Sequence, residues 1–212
     1  MEYTWLYIAF ILFLAYMLGS IPFSLWIGII FFKKDIRTEG SGNAGTTNTF
    51  RVLGWKAGLP VFLMDASKGW LAINLIHLLP DSYVKQEYFY YLASAQAVAV
   101  VLGHVYPLFA GFKGGKGVAT LLGVGVALYP LSGPAAFGVF IIVFLLSGYV
   151  SLASVTACIA FPLLSYYLFG NTEMPLVMLS AGVAVFVPIT HLKNIRRLIA
   201  GTESRFLYKR RT

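Results

Sequence analysis

The sequence predicts an all-α polytopic membrane protein with seven transmembrane helices, the N-terminus outside and the C-terminus cytoplasmic. Three observations predict it. Of 212 residues, 58% are hydrophobic and only 11% charged, against about 45–50% and about 25% in soluble domains. The mean hydropathy is +0.78. The apolar residues also fall in uncharged runs that reach the length a bilayer demands, about 20 residues. Such a composition excludes a disordered chain, which needs the opposite bias. It excludes a disulfide scaffold too, because Cys158 is the only cysteine.

Each span can be read in turn. Residues 3–32 carry no charge, and residues 57–80 are interrupted only by Asp65 and Lys68. Residues 88–112 contain no Lys, Arg, Asp or Glu. Residues 117–172 form a 56-residue block equally free of them. Two breakers divide that block: Tyr129-Pro-Leu-Ser-Gly-Pro134 and the Ser/Gly-rich stretch 147–154. Three short spans result, the first (118–130) under-length. Residues 174–192 supply the last span.

Charge fixes the count and the orientation. Fourteen of the 16 Lys and Arg lie in 33–56, in 110–117 and from Lys193 onward. Seven spans and an outside N-terminus put all three groups in the cytoplasm, as the positive-inside rule requires. Only two spans in the long block would leave the basic tail outside. Met1-Glu2 offers no basic n-region, so no cleaved signal is expected. No repeat, linker or low-complexity segment interrupts the chain, which reads as one membrane domain over 1–212. The net charge of +8 points to an anionic membrane face, an anionic substrate or nucleic acid. The basic residues sit in short membrane-edge loops, which argues against nucleic acid.

Four segments have compositions that spanning does not demand. Gly40-Ser-Gly-Asn-Ala-Gly-Thr-Thr-Asn-Thr-Phe-Arg51 combines permissive backbone, small donors and a guanidinium fork suited to phosphate. Gly111-Phe-Lys-Gly-Gly-Lys-Gly117 leads into an apolar helix, where N–H groups and the helix dipole favour an anion. Its spacing is not that of a Walker A loop. Tyr149-Val-Ser-Leu-Ala-Ser154 puts Ser151 and Ser154 on one helix face. His191-Leu-Lys-Asn-Ile-Arg-Arg197 spaces His191, Asn194 and Arg197 along roughly one face. A bland alternative exists for each: flexible loop, headgroup-level turn, serines in helix packing, and a snorkelling helix end. Asp65 and Lys68, three apart, read as a structural pair facing the bundle. Gln96 and His104 share one side of the third span, with His104 as support beneath the glycine loop. No metal-ligand spacing occurs, and no Gly-x-Ser-x-Gly elbow.

These segments, with Gly19-Ser-Ile-Pro-Phe23, Leu102-Gly-His-Val-Tyr-Pro107 and Gly201-Thr-Glu203, run in an order that resembles the bacterial acyl-phosphate:glycerol-3-phosphate acyltransferase family over nearly the whole chain. The resemblance implies a multi-pass cell-membrane enzyme of seven helices with its active site at the cytoplasmic face. It implies catalytic positions at Ser41, Arg51, Lys116, His191 and Asn194. It implies substrate or phosphate contacts at Gly42, Asn43, Asn48, Gly114, Gly115, Gly117 and Ser154, and structural support from Glu203. Its substrates would be acyl phosphate and glycerol-3-phosphate. It implies no cofactor and no metal, and a functional link to the soluble enzyme that makes acyl phosphate. Thr190 departs from the Arg that often precedes the terminal His in that family. No His-x4-Asp pair of the other glycerolipid acyltransferases occurs: Ser82, Phe109 and Arg196 follow His77, His104 and His191 at that distance. The expected reaction is direct acyl transfer. His191 is the obvious conventional base, and a substrate phosphate oxygen is the alternative proton acceptor. A transporter for phosphorylated solutes is the rival class. It would extend polar residues across the bilayer, yet the outer half offers little beyond Asp81, Lys85, Glu87 and Glu173.

Overall fold

The computed structural model describes residues 4–80 and 85–206, so Asp81 and three basic residues of the tail, Lys209, Arg210 and Arg211, lie outside the described residues. Those described form ten α-helices and no strand. Helices satisfy their own backbone polar groups, which an apolar medium requires. Four stretches are long and apolar enough to cross a membrane: Trp5–Phe32, Trp55–Leu78, Gln86–Ala110 and Val150–Leu168. Met174–Thr190 and Leu192–Ile199 qualify as a pair bent by 62°. Val118–Leu128 and Ser132–Ser147 are apolar but shorter. The protein is thus an all-helical, multi-pass membrane protein. Its chain forms two compact units, Met1–Leu128 and Tyr129–Thr212.

The first unit contains α1 (Thr4–Gly19), α2 (Phe23–Phe32), α3 (Thr46–Leu53), α4 (Trp55–Asn74), α5 (Phe89–Val105) and α6 (Val118–Leu128). The first uncharged run is therefore two helices rather than one. Pro22 has no N–H, and it pushes Ile21 away from helical backbone angles. The Gly19 and Ile21 carbonyls at this break accept hydrogen bonds from Lys68 Nζ of α4 at 2.9 and 3.1 Å. Close helix crossings complete the unit. A Cβ on Gly103 of α5 would fall onto the Tyr16 carbonyl of α1, and one on Gly123 of α6 onto the Ala66 carbonyl of α4. Small residues at these contacts let backbones approach where no hydrophobic drive joins helices. Buried Gln96 on α5 donates to the Ala72 carbonyl of α4 at 2.9 Å.

The second unit contains α7 (Ser132–Ser147), α8 (Val150–Leu163), α9 (Met174–Thr190) and α10 (Leu192–Ile199). The 117–172 block breaks into three helices at 129–131 and 148–149, within the two breakers read from the sequence. Pro162 lies inside α8, which passes into a single π-turn at Leu164–Leu168. Tyr129 anchors the core, donating to the Leu176 carbonyl at 2.7 Å with its ring edge-on to Phe161. Pro188, in the last turn of α9, lacks the N–H that would continue the ladder. The chain turns by 62° there, and His191 occupies the corner.

Candidate active site

In the first unit, a buried amide organises the Gly40 to Arg51 segment. Asn48 Nδ2 donates to the Ile36 and Glu39 carbonyls at 2.7 and 3.1 Å, and Asn48 Oδ1 accepts from the Ser41 N–H at 2.8 Å. Gly40, at φ +62°, leaves room for that oxygen; a Cβ there would strike it. Asn48, expected from the sequence to contact substrate, is thus engaged in shaping the loop that presents Ser41. The segment ends in α3, which displays Arg51 to solvent with no ion-pair partner among the described residues.

The second glycine-rich loop is folded back on the end of α5. The Gly114 N–H donates to the Val105 carbonyl and the Gly115 N–H to the His104 carbonyl, both at 3.2 Å. This corrects the expectation that these two N–H groups face an anion. Neither position has room for a side chain: a Cβ on Gly114 would hit the His104 carbonyl, and one on Gly115 would hit His104 Nε2. The donors that remain belong to the first turn of α6, where Val118, Ala119 and Thr120 have no intrahelical acceptor. Leu121 makes the first bond, to the Gly117 carbonyl. Half-buried Lys116 lies beside this positive helix end. The two glycine-rich segments meet: a Cβ on Gly115 would stand 2.9 Å from the Ala44 carbonyl oxygen. Arg37 adds a second link. It holds Asp35 through two nitrogens and donates to the Ala110 carbonyl at 3.3 Å. The same guanidinium, hydrogen-bonded to Asp35, holds that carboxyl below its usual range.

Beneath these loops lies a charged cluster. Lys68 Nζ is 3.0 Å from Asp65 Oδ1, and His104 Nδ1 is 3.6 Å from the same oxygen. Both members of the Asp65–Lys68 pair are at most 3% exposed. Thr46 Oγ1, at the start of α3, donates to Asp65 Oδ2 at 3.4 Å. Asp65, Lys68, His104, Ala44 and Gly114 share the wall of one small cavity.

In the second unit, Glu203 gathers three donors. Its carboxylate accepts from Ser151 Oγ at 2.9 Å, Asn194 Nδ2 at 2.6 Å and Arg197 Nε at 2.6 Å. Ser154 stays out of this cluster; its hydroxyl donates to the Val150 carbonyl of its own helix at 2.9 Å. The stretch after Glu203 is laced to the α7–α8 junction. Arg205 Nε donates to the Tyr149 hydroxyl and lies over its ring, and the Phe206 N–H donates to the Gly148 carbonyl. His191 is buried, with Nδ1 2.8 Å from the Val187 carbonyl. A carbonyl accepts only, so Nδ1 carries the proton and any basic function of the neutral ring falls to Nε2. Thr190 also donates to the Val187 carbonyl and lies 3.2 Å from His191 Nδ1.

Burial raises the Glu203 carboxyl, but the hydrogen bonds from Asn194, Arg197 and Ser151 outweigh it and hold the group below its ordinary value. A lowered carboxyl stabilises the fold in full above its unfolded value, about 4.3. That stabilisation is lost as pH falls through the folded value. Thermal melts in detergent are expected to drop from pH 6 towards pH 3. Glu203→Gln should melt several degrees lower at pH 6 and show a flatter acid slope. An unchanged pH 6 melt would remove Glu203 from the support of this unit.

The comparisons with known proteins agree with one another. The family model described as Glycerol-3-phosphate acyltransferase matches residues 9–201. A Glycerol-3-phosphate acyltransferase of Listeria monocytogenes is 47% identical, covering 90% of this chain and 92% of its own. One of Enterococcus faecalis is 42% identical, covering 95% and 93%. Among solved structures, the glycerol 3-phosphate form of PlsY, an integral membrane glycerol 3-phosphate acyltransferase, is 36% identical with a TM-score of 0.84. It covers 94% of this chain and 95% of its own. The lysophosphatidic acid form of that protein gives a TM-score of 0.81 at 36% identity, covering 93% and 94%. On the family match and these identities, the chain belongs to the glycerol-3-phosphate acyltransferase family and is an integral membrane acyltransferase.

Proposed function

We propose that this acyltransferase takes its acyl group from acyl phosphate and esterifies glycerol-3-phosphate, releasing phosphate and 1-acyl-glycerol-3-phosphate. The observation that carries this reading is the start of α6, where N–H groups without intrahelical acceptors and Lys116 stand behind a glycine loop pinned to α5. Such an end suits a small, doubly charged leaving phosphate. The substrate hydroxyl oxygen attacks the acyl carbonyl carbon. An ester C–O bond forms, and the C–O bond to phosphate breaks with its electron pair leaving on phosphate. The mixed anhydride is already activated, so no covalent acyl-enzyme is needed. Orientation and charge stabilisation supply the acceleration. Arg51 and Lys116 neutralise phosphate charge. Ser41, with Gly42, Asn43 and the Asn48-shaped loop, and Ser154 and Asn194 in the second unit, orient the substrates. His191 Nε2 accepts the hydroxyl proton, its ring fixed by the Nδ1 bond to Val187.

The two units act as one domain, since one family pattern runs through both. We read seven spans: α1 with α2, then α4, α5, α6, α7, α8 and α9. The N-terminus is outside, the active site faces the cytoplasm of a cell membrane, and the distribution of basic residues supports this. A soluble enzyme that makes acyl phosphate would supply the donor. Purified protein in detergent should release phosphate from acyl phosphate only when glycerol-3-phosphate is present. Release without acceptor, or none with both, would refute the reading.

The pH–rate profile assigns the proton. A base must be unprotonated to act, so the rate should rise with pH through the histidine range. His191→Ala is expected to lower kcat by about 10²–10⁴-fold and to abolish this acid limb. A persisting limb would assign the proton to a substrate phosphate oxygen instead.

A further inference from the structure

Asp65 occupies an unusual place for a carboxylate inside an apolar helix. It meets two elements far apart in sequence, α3 and α5, and reaches a third through Lys68 on its own helix, all in the first unit. Lys68 joins it at 3.0 Å and carries the attachment onward to the Gly19 and Ile21 carbonyls at the α1–α2 break. Thr46, which opens the helix bearing Arg51, donates to its second oxygen at 3.4 Å. His104, whose ring lies under Gly115 and whose carbonyl holds the Gly115 N–H, is 3.6 Å from its first oxygen.

A merely structural ion pair needs two members. Replacing a buried pair by apolar residues of similar size is often neutral or stabilising. The extra partners here are the bases of the two glycine-rich segments, one bearing Arg51 and the other Lys116. From this geometry we propose that Asp65 is a positioning residue for the acyl transfer, setting the separation of Arg51 and Lys116 through Thr46 and His104. This rests on the reading that those two cations hold the substrate phosphates. Lys68 keeps the carboxylate aimed at the loops and ties both to the α1–α2 break. A small misplacement of positioned groups costs as much as about 10²-fold in rate, so the consequence is kinetic as well as structural.

The test uses the full-length protein in detergent and reads KM for glycerol-3-phosphate, kcat and the melting temperature separately. Thr46→Val removes the hydroxyl while keeping the branched shape. It is expected to raise that KM at least tenfold with a melting temperature near the parent's, and Thr46→Ser should restore the KM. The pair Asp65→Asn with Lys68→Met removes both buried charges together; it should keep the raised KM and melt below the parent, because the Gly19 and Ile21 carbonyls lose their Lys68 donor. A KM within twofold of the parent in Thr46→Val overturns the proposal, even if the double variant fails to fold. Arg51→Ala separates the two ideas: if it also leaves that KM unchanged, the phosphate reading itself has failed; if it alone raises the KM, only the positioning role has.

Discussion

Lys116→Met is expected to lower kcat/KM for acyl transfer by about 10²–10³-fold, the cost of removing one preorganised donor from a developing charge. The melting temperature should stay within a few degrees of the parent's. Methionine retains the apolar stem of lysine and loses only the ammonium. The Gly114 and Gly115 N–H groups already bond to α5 carbonyls, so they cannot turn to replace the missing charge. Lys116→Arg should recover part of the loss, because a planar fork does not reproduce a point charge at a helix end. A Lys116→Met enzyme within tenfold of the parent would show that the α6 terminus alone carries the phosphate.

Gly123→Leu is expected to yield no folded protein. At that position a Cβ would overlap the Ala66 carbonyl and crowd the Trp70 nitrogen, and backbone on both sides leaves nothing flexible to yield. Ordinary overpacking costs about 1–3 kcal/mol because side chains can shift. Here two whole helices must separate, and α4 carries Asp65 and Lys68 with it. Gly123→Ala should already broaden the size-exclusion profile in detergent and lower the melt. Recovery of monodisperse Gly123→Leu with the parent's melting temperature would show that α4 and α6 do not cross so closely.

Much of this was legible in the sequence, for definable reasons. Apolar run length reports helices directly, and the Pro/Gly punctuation at 129–134 and 147–154 divided the long block where α6, α7 and α8 divide. The break at Ser20 to Pro22 had a signal in its proline, but the absence of charge over residues 3–32 masked it. The Asp65–Lys68 pair was legible because three residues make one helix turn. Its other partners, Thr46, His104 and the two carbonyls, were not, because they arrive from distant segments and periodicity reports only local neighbours. Ser151 and Ser154 looked equivalent by spacing. Only the return of Glu203, 52 residues after Ser151, distinguishes them. The glycine loop was legible as a motif, while the use of its N–H groups depended on which carbonyls α5 leaves exposed.

The stitch from Lys68 to the α1–α2 break bears on how the chain is made. The two carbonyls it satisfies precede it by 49 and 47 residues. At about 5–20 residues per second, the α1–α2 break waits on the order of 2–10 s for its partner to be synthesised. The Ile21 carbonyl also accepts from the Phe23 N–H, but an unsatisfied backbone group in lipid costs several kcal/mol, so during that interval the Gly19 carbonyl is expected to rest against water or the insertion machinery rather than in bulk lipid. Biogenesis of this enzyme therefore has an order: the opening helices commit to the bilayer only after α4 has emerged. A ribosome-stalled Ser20→Cys chain ending before Lys68 should react with a water-soluble thiol probe, and one stalled well beyond α4 should not.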